Sequence, residues 1–497
     1  MAFQIPSIYL VILSPVLIIM GWGMLIMLLE FFIPEGRKGW YAWLSLVGIV
    51  LAFVQTAAMW GYEGGTFTPV NGHPMVVLDN YATFLNLIFL ATGALTILLS
   101  VNYLERTGLN RPEFYMLLLF SISGMMLMGM ANDLILVFLA LEILSIPLYI
   151  MSGLAWPRTE SEESAMKYFL LGAFSSGIFV FGIALTYGAT GSTALPEVLT
   201  GIASGGSLGF AGVAFLLVGL GFKVGAAPFH MWTPDVYEGA PTIVTAFMSV
   251  GAKVGGFAAM LRVLLMAMPE ISGTWVPAVA GLAALTLIVG NVVALMQTNI
   301  KRMLAYSSIA HAGYIMIAVA ASGETQQGVS AALFYMFAYL FTNMGAFAVV
   351  MAMERKQGEG LLLDDYKGLA KQHPVMALVM AYFMLSLTGV PPTGGFSGKF
   401  YIFRAAIEAT KNGSDLIWLV IIGVITSVIS GYYYLRVVYL MYMTDGKAEL
   451  TGIRHPAVVT AVLVTVIFTL FLGFAPGTFF DVTREVVLNG VMALAGG

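Results

Sequence analysis

"FKVGAAPFHMWTPDVYEGAPT" spans Phe222 to Thr242 and decides how the rest of the chain is read. Before it, 25 residues from Val198 to Phe222 hold no Asp, Glu, Lys or Arg. Lys223 then sits at the edge of this apolar run, five residues ahead of Pro228. A proline inside a helix removes a backbone donor and clashes with the preceding turn. The stretch reads as a membrane-crossing helix that breaks, with a charge placed beside the break. In lipid, freed backbone groups need internal partners, so such a break faces a polar cavity inside the protein.

Composition agrees. Of 497 residues, 59% are hydrophobic and only 10% charged, against about 25% charged in soluble proteins. The chain is therefore an all-α polytopic membrane protein, and its length does not translate into soluble domains. A net charge of −4 gives no sign of a nucleic-acid partner. The absence of cysteine excludes disulfides and cysteine-ligated iron–sulfur or zinc sites in this chain. His73, His230, His311, His373 and His455 are scattered without metal-ligand spacing. The apolar N-terminus lacks a basic leader and a small-residue cleavage site, so it reads as a first span rather than a signal peptide.

A span needs about 20 mostly apolar residues. Fourteen are expected, at 8–33, 40–61, 79–103, 112–130, 133–155, 162–188, 209–238, 241–267, 276–297, 303–322, 328–353, 372–410, 414–443 and 456–478. The seventh and twelfth are long and contain proline, so each is read as one broken helix. Loop charges test the count. The odd loops carry Arg37, Lys38, Arg106, Arg111, Arg158, Lys301, Arg302, Arg355, Lys356, Lys367, Lys371, Lys447 and Arg454, whereas the even loops carry only Lys411. Basic loops stay cytoplasmic, which places both termini outside. The longest loop, 354–371, is too short for a core of its own, and the tail after 479 suits a short interfacial helix.

Four ionisable residues lie deep in these spans: Glu142 in the fifth, Lys223 in the seventh, Lys253 in the eighth and Lys399 in the twelfth. Each costs about 2.5–3.5 kcal/mol at the centre of a membrane helix, and such residues face the protein interior and are mostly functional. The bland alternative is an ion pair that only holds helices together. Lys167, Arg404 and Arg436 lie nearer span ends, where long side chains snorkel. His311, in "SSIAHAGY", is on the tenth span and is a candidate relay, although a lone histidine is as readily a core residue.

The proline breaks, Pro228 and Pro391–Pro392, fall in spans seven and twelve, each with a lysine within seven residues. Broken helices at matching places in two halves mark an ion pathway. Lys223 and Lys399 are 176 positions apart, and their helices, five spans apart, cross in opposite directions. The expected organisation is 1–111 (helices 1–3), 112–267 (helices 4–8), an inverted repeat of it at 276–443 (helices 9–13), and 444–497 (helix 14 and tail). "GGFSGK" fails as a phosphate loop, because Thr393 stands at its first glycine and Phe400 at its Ser/Thr position.

"FKVGAAPFHMWTPDVYEGAPT", "ESAMKYFLLGAFSSG", "QTNIKRMLAYSSIAHAGY" and "LTGVPPTGGFSGKFYIF" resemble the subunit N family of the proton-pumping NADH:quinone oxidoreductase, respiratory complex I, over helices 4 to 13. The resemblance implies a proton channel of two inverted half-channels, carried by Glu142, Lys223, Lys253 and Lys399, with His311 the least certain member. Lys399 fits subunits N and L better than M, and the end of the chain soon after helix 14 argues against L. No cofactor is then expected on this chain. NADH, FMN, iron–sulfur clusters and quinone belong to partner subunits: a hydrophilic redox arm, the antiporter-like subunits L and M, and small subunits such as K. The implied setting is the bacterial inner membrane, with Glu142 and Lys223 acting as a coupled pair. The competing readings are a subunit of a multisubunit sodium/proton antiporter, and a scaffold whose charges only hold helices together.

Overall fold

The computed structural model describes residues 6–32, 39–69, 72–355, 358–451 and 455–488. In chain order these form α1 (Leu10–Leu29), α2 (Trp40–Ala58), a hairpin of β1 (Gly64–Thr66) and β2 (Val76–Leu78), α3 (Asn80–Thr107), α4 (Pro112–Met130), α5 (Leu134–Ser152), α6 (Thr159–Thr190) and α7 (Leu195–Ile202). Then come α8 (Gly206–Val224), α9 (Trp232–Gly239), α10 (Thr242–Phe247), α11 (Lys253–Ala267), α12 (Ser272–Ala294), α13 (Ile300–Ser322) and α14 (Gln326–Met353). The chain ends with α15 (Leu369–Gln372), α16 (Pro374–Thr388), α17 (Gly394–Asn412), α18 (Ile417–Met443), α19 (Pro456–Phe474) and α20 (Pro476–Leu488). A single π turn, Met248–Ala252, joins α10 to α11 into one span.

Among the described residues, thirteen helices are long and apolar enough to cross a membrane. The pair α16 and α17 makes the expected broken twelfth span. The seventh breaks as expected too, between α8 and α9. The hairpin, α7 and the π turn were not anticipated: three-residue strands and one extra helical residue leave no periodic signal. The basic residues Arg37, Lys38, Lys356 and Arg454, and the tail beyond 488, lie outside the described residues.

Loop-to-loop hydrogen bonds sort the connections into two faces. Asn132 N–H bonds the Met75 carbonyl and Leu195 N–H bonds that of Asn132, which joins the even loops. On the opposite face, Leu363 N–H bonds the Thr298 carbonyl, Thr451 N–H that of Ala352 and Gly368 N–H that of Leu440. This second face holds Arg106, Arg158, Arg302, Arg355 and Lys371, and is the basic face.

Two local features recur at corresponding places. At the start of α5, Leu134 N–H bonds the Thr193 carbonyl and Leu195 N–H bonds that of Asn132; at the start of α13, Ile300 N–H bonds the Leu361 carbonyl and Leu363 N–H bonds that of Thr298. Both breaks also end in the same cap. Gly225 (φ 73°) and Gly389 (φ 93°) take left-handed backbone, which favours glycine. The following residues, Ala226 and Val390, donate back to Gly221 and Leu385, closing each helix with a Schellman motif.

Burial follows the membrane setting. The span formed by α10, the π turn and α11 is wholly buried, and α13 and α14 nearly so. The outer helices α1, α2, α6, α18 and α19 expose long apolar side chains such as Phe174, Ile421 and Ile467. A membrane protein solvates these with lipid.

The "PPTGG" turn brings the start of α17 against the end of α16. A Cβ on Gly395 would collide with the Ser386 carbonyl oxygen, whereas one on Gly281 would meet nothing within 4 Å. Gly395→Ala is therefore expected to lower stability by about 1–3 kcal/mol, with Gly281→Ala neutral. Thermal melting of the detergent-solubilised complex checks the pair, and equal midpoints would refute the close approach.

Candidate functional site

The five residues picked from the sequence sit on the packed helices α5, α8, α11, α13 and α17, and four of them are buried. Glu142, on α5, is the half-exposed member of this row. The Ser176 hydroxyl on α6 donates to its carboxylate. Lys223, at the last turn of α8, donates to the Ser145 hydroxyl on α5 at 2.7 Å and lies 5.9 Å from the Tyr168 ring centre. Glu142 and Lys223 form no direct ion pair. Instead, Ser145, Ser176 and Lys223 line one cavity of about 10 Å³, room for about one water. Serine hydroxyls thus stand at the carboxylate and at the amine, which are not in contact.

The stem of Lys223 packs on α11 where Gly256 leaves room: a Cβ there would lie 3.2 Å from Lys223 Cγ. Lys253, one helical turn earlier, follows directly on the π turn. π turns re-aim the residues beside them and recur at functional sites. Its amine donates to the carbonyl of Ser308 and, at 2.6 Å, to the Ser308 hydroxyl.

From Ser308 the row continues along α13. The neighbouring Ser307 hydroxyl meets Tyr434 at 2.5 Å; Tyr434 meets His311 Nε2 at 3.1 Å; His311 Nδ1 meets the Tyr335 hydroxyl at 2.5 Å. A neutral imidazole offers one donor and one acceptor, so His311 joins the two phenols in a continuous hydrogen-bonded chain.

Lys399 ends the row. Its ammonium donates to the Leu387 carbonyl (3.1 Å), the Thr388 carbonyl (2.8 Å) and the Ser427 hydroxyl (2.9 Å). It also sits 4.5 Å from the Tyr314 ring centre, a favourable cation–π placement. The two cap glycines are 164 positions apart (389 − 225), so Leu387 stands in the same place relative to its cap as Lys223. Lys399 starts beyond the break and reaches back, placing its amine on the carbonyls that stand where Lys223 stands.

The "WTPDVYEG" segment closes the first break. Trp232 stacks on Tyr168 at 4.6 Å and its indole N–H donates to the Phe222 carbonyl, sealing the end of α8. Asp235 takes Lys167 at 2.7 Å and Arg302 at 2.8 Å, and Glu238 takes Arg302 at 2.8 Å. Lys167 is thus an ion-pair partner rather than a snorkelling side chain. Arg436 likewise donates to the Gln297 carbonyl at 3.3 Å.

Sequence reasoning missed three buried groups. Arg262, 1% exposed, pairs with Asp79 at 2.9 Å. Lys301 donates to the Glu238 and Ala240 carbonyls. Glu354 accepts from Tyr103. Each lies near the end of an expected span, where a charge ordinarily reaches water. A pairing such as Asp79 with Arg262, 183 residues apart, has no local signal. Among the described residues no cluster of histidines and carboxylates could hold a metal.

A sequence profile described as NADH:quinone oxidoreductase/Mrp antiporter, transmembrane, matches residues 131–430. The chain is 46% identical to the NADH-quinone oxidoreductase subunit N of Chloroflexus aggregans, over 98% of this chain and 100% of that one. It is 45% identical to the subunit N of Trichlorobacter lovleyi, over 97% of each. A chain of respiratory complex I from Thermus thermophilus with bound aureothin superposes with a TM-score of 0.79 at 35% identity, covering 94% of this chain and 98% of that one. A chain of the Mrp complex from Dietzia sp. superposes at 0.84 with 18% identity, covering 97% and 99%, a likeness of fold alone.

Removing the histidine strands the buried Tyr335 phenol, while Tyr434 keeps Ser307. His311→Ala is expected to lower stability by about 1–3 kcal/mol, read as a lower melting midpoint of the solubilised complex. An unchanged midpoint would mean that Tyr335 has another partner.

Proposed function

The chain belongs to the NADH-quinone oxidoreductase subunit N family, and we propose that it moves protons across the bilayer along the row Glu142, Lys223, Lys253, His311 and Lys399. It is a proton-translocating membrane subunit of NADH:quinone oxidoreductase. The observation that carries the residue-level reading is the company kept by its lysines. Lys223, Lys253 and Lys399 are each 4% exposed, yet their amines rest on hydroxyls and carbonyls rather than on carboxylates. An ion pair that only held helices would put a carboxylate against each amine, as Asp79 does for Arg262.

Hydroxyls and carbonyls accept from an ammonium and, in the case of hydroxyls, also donate to a neutral amine. Each lysine can therefore gain or lose a proton without stranding its neighbours. Desolvation opposes the charged form, and a nearby carboxylate favours it. A change at Glu142 is felt at Lys223, and a charge at Lys253 or Lys399 is felt at His311. In this reading, redox energy released elsewhere is passed along the row as successive protonation changes.

The two recurring loop bridges and the two glycine caps support an inverted repeat of 112–267 and 276–443. A sodium/proton antiporter reading fits less well. A desolvated cation such as sodium needs oxygen ligands of negative character, and this row is built on amines. Glu142 lies half-exposed on the outer side of α5, spaced three and four residues from the exposed Leu139 and Ile146. A carboxylate left toward lipid is costly, so this flank suits a neighbouring antiporter-like subunit, L or M. Without cysteine the chain ligates no iron–sulfur cluster through thiolates; these clusters, flavin, NADH and quinone are assigned to partner subunits. The basic face is assigned to the cytoplasm and both termini to the outside of the inner membrane.

Lys223→Arg keeps the charge but is effectively never deprotonated. The variant is expected to assemble, to lower proton uptake in vesicles by about tenfold or more, and to slow NADH oxidation. Normal pumping would leave Lys223 a fixed charge. For orientation, Glu359→Cys on the exposed part of the basic face should label only after spheroplasts are permeabilised. The chain has no cysteine of its own to confuse the readout, and labelling of intact spheroplasts would invert the assignment.

A further inference from the structure

Glu354 is a buried carboxylate that the proton row does not use. It caps the end of α14 and is 2% exposed. The Tyr103 hydroxyl donates to its Oε2 at 2.9 Å, and the same phenol oxygen accepts from Thr242 N–H at 3.0 Å. Arg106 lies beside it, but its two bonds go to the carbonyls of Met351 and Glu354, not to the carboxylate.

Outside Glu354 there is water space. A cavity of about 570 Å³ opens on the basic face, with Tyr103, Pro241 and Glu354 among its buried lining and Trp156, Arg158 and Glu160 toward its mouth. Farther inside, Tyr335, Tyr339 and Asn343 recur every four residues on one side of α14, three turns from Glu354. Asn343 donates to the Ser249 hydroxyl of the π turn at 2.6 Å, while its own oxygen has no protein partner. The hydroxyls of Tyr339, Thr242 and Tyr366 also lack protein partners. Buried polar atoms left this way mark positions of ordered water. Lys301, fully buried, lies on α13 two turns before Ser308. Its amine bonds the Ala240 carbonyl, two residues before Thr242, whose N–H bonds the Tyr103 hydroxyl that holds Glu354.

We propose that Glu354 is the proton-loading group of this chain: it takes protons from the basic-face cavity and passes them through Lys301 and ordered water to Lys253. In each cycle the carboxylate gains one proton from water or a buffer acid and later gives one up inward. Only O–H and N–H bonds change, and no electrons move. The proposal rests on the reading that the central row carries protons.

The test uses the assembled enzyme in membrane vesicles with an uncoupler present, so that no gradient limits turnover. Glu354→Gln keeps the acceptor for Tyr103 but cannot carry a proton. It is expected to assemble and to oxidise NADH about tenfold more slowly, with Glu354→Asp in between. Added formate, a small acid that fits the cavity, should speed Glu354→Gln several-fold and leave the parent enzyme unchanged. Parent-like turnover of Glu354→Gln would overturn the proposal. So would a slow variant that formate fails to speed, which would assign Glu354 a structural role. If Glu354→Gln does not assemble, Glu354→Asp with and without formate decides on the same terms. Lys223→Arg run alongside separates the two claims: if it is slow while Glu354→Gln is normal, only the loading site falls; if both are normal, the central row falls as well.

Discussion

An ammonium group inside an apolar bundle is the constraint on which this structure turns. Each buried lysine must be given acceptors, and an intact helix has few to spare, because its carbonyls are already bonded within it. Hydroxyls on neighbouring helices supply some, Ser145 for Lys223 and Ser308 for Lys253, and a break supplies the rest. Lys399 uses the Leu387 and Thr388 carbonyls exposed where α16 stops, and Lys223 stands in the last turn of α8, where Trp232 and Gly225 close the helix around it. The π turn before Lys253 serves a related end, by offsetting the helix so that this amine reaches Ser308. Proline, glycine and lysine thus occur together for one reason.

Arg262 shows what the fold does when it wants a charge to stay. It is 1% exposed and paired with Asp79 at 2.9 Å, and Asp79 also caps α3 through Ala82 N–H. Removing one partner of such a buried pair costs about 3–5 kcal/mol, because the other is stranded. The lysines of the row have no such fixed counter-charge in contact. Serine hydroxyls and backbone carbonyls take its place. The same membrane core therefore holds two kinds of buried charge, one locked and one free to change.

Much of this was legible in the sequence. Apolar length gave the spans, loop charge gave their alternation, and proline beside lysine marked the two breaks. Glu142, Lys223, Lys253 and Lys399 stood out because a charge amid apolar residues is conspicuous. What stayed hidden was whatever depends on distant contact or looks ordinary locally. Ser145, Ser308, Tyr335 and Tyr434 are common residues in membrane helices, and only packing shows that they solvate the row. Asp79, Lys301 and Glu354 lie close to span ends, where a charge needs no explanation until its burial is known.

The central claim is that the buried lysines exchange protons during turnover. Lys253 tests it most directly, since it stands between the two breaks and bonds only to Ser308. The measurement is the number of protons translocated per NADH oxidised by vesicles carrying Lys253→Arg, normalised to assembled enzyme. The account predicts an assembled complex with a lower ratio or slowed turnover, because arginine holds its proton. An assembled complex with the parent ratio and the parent turnover would contradict it.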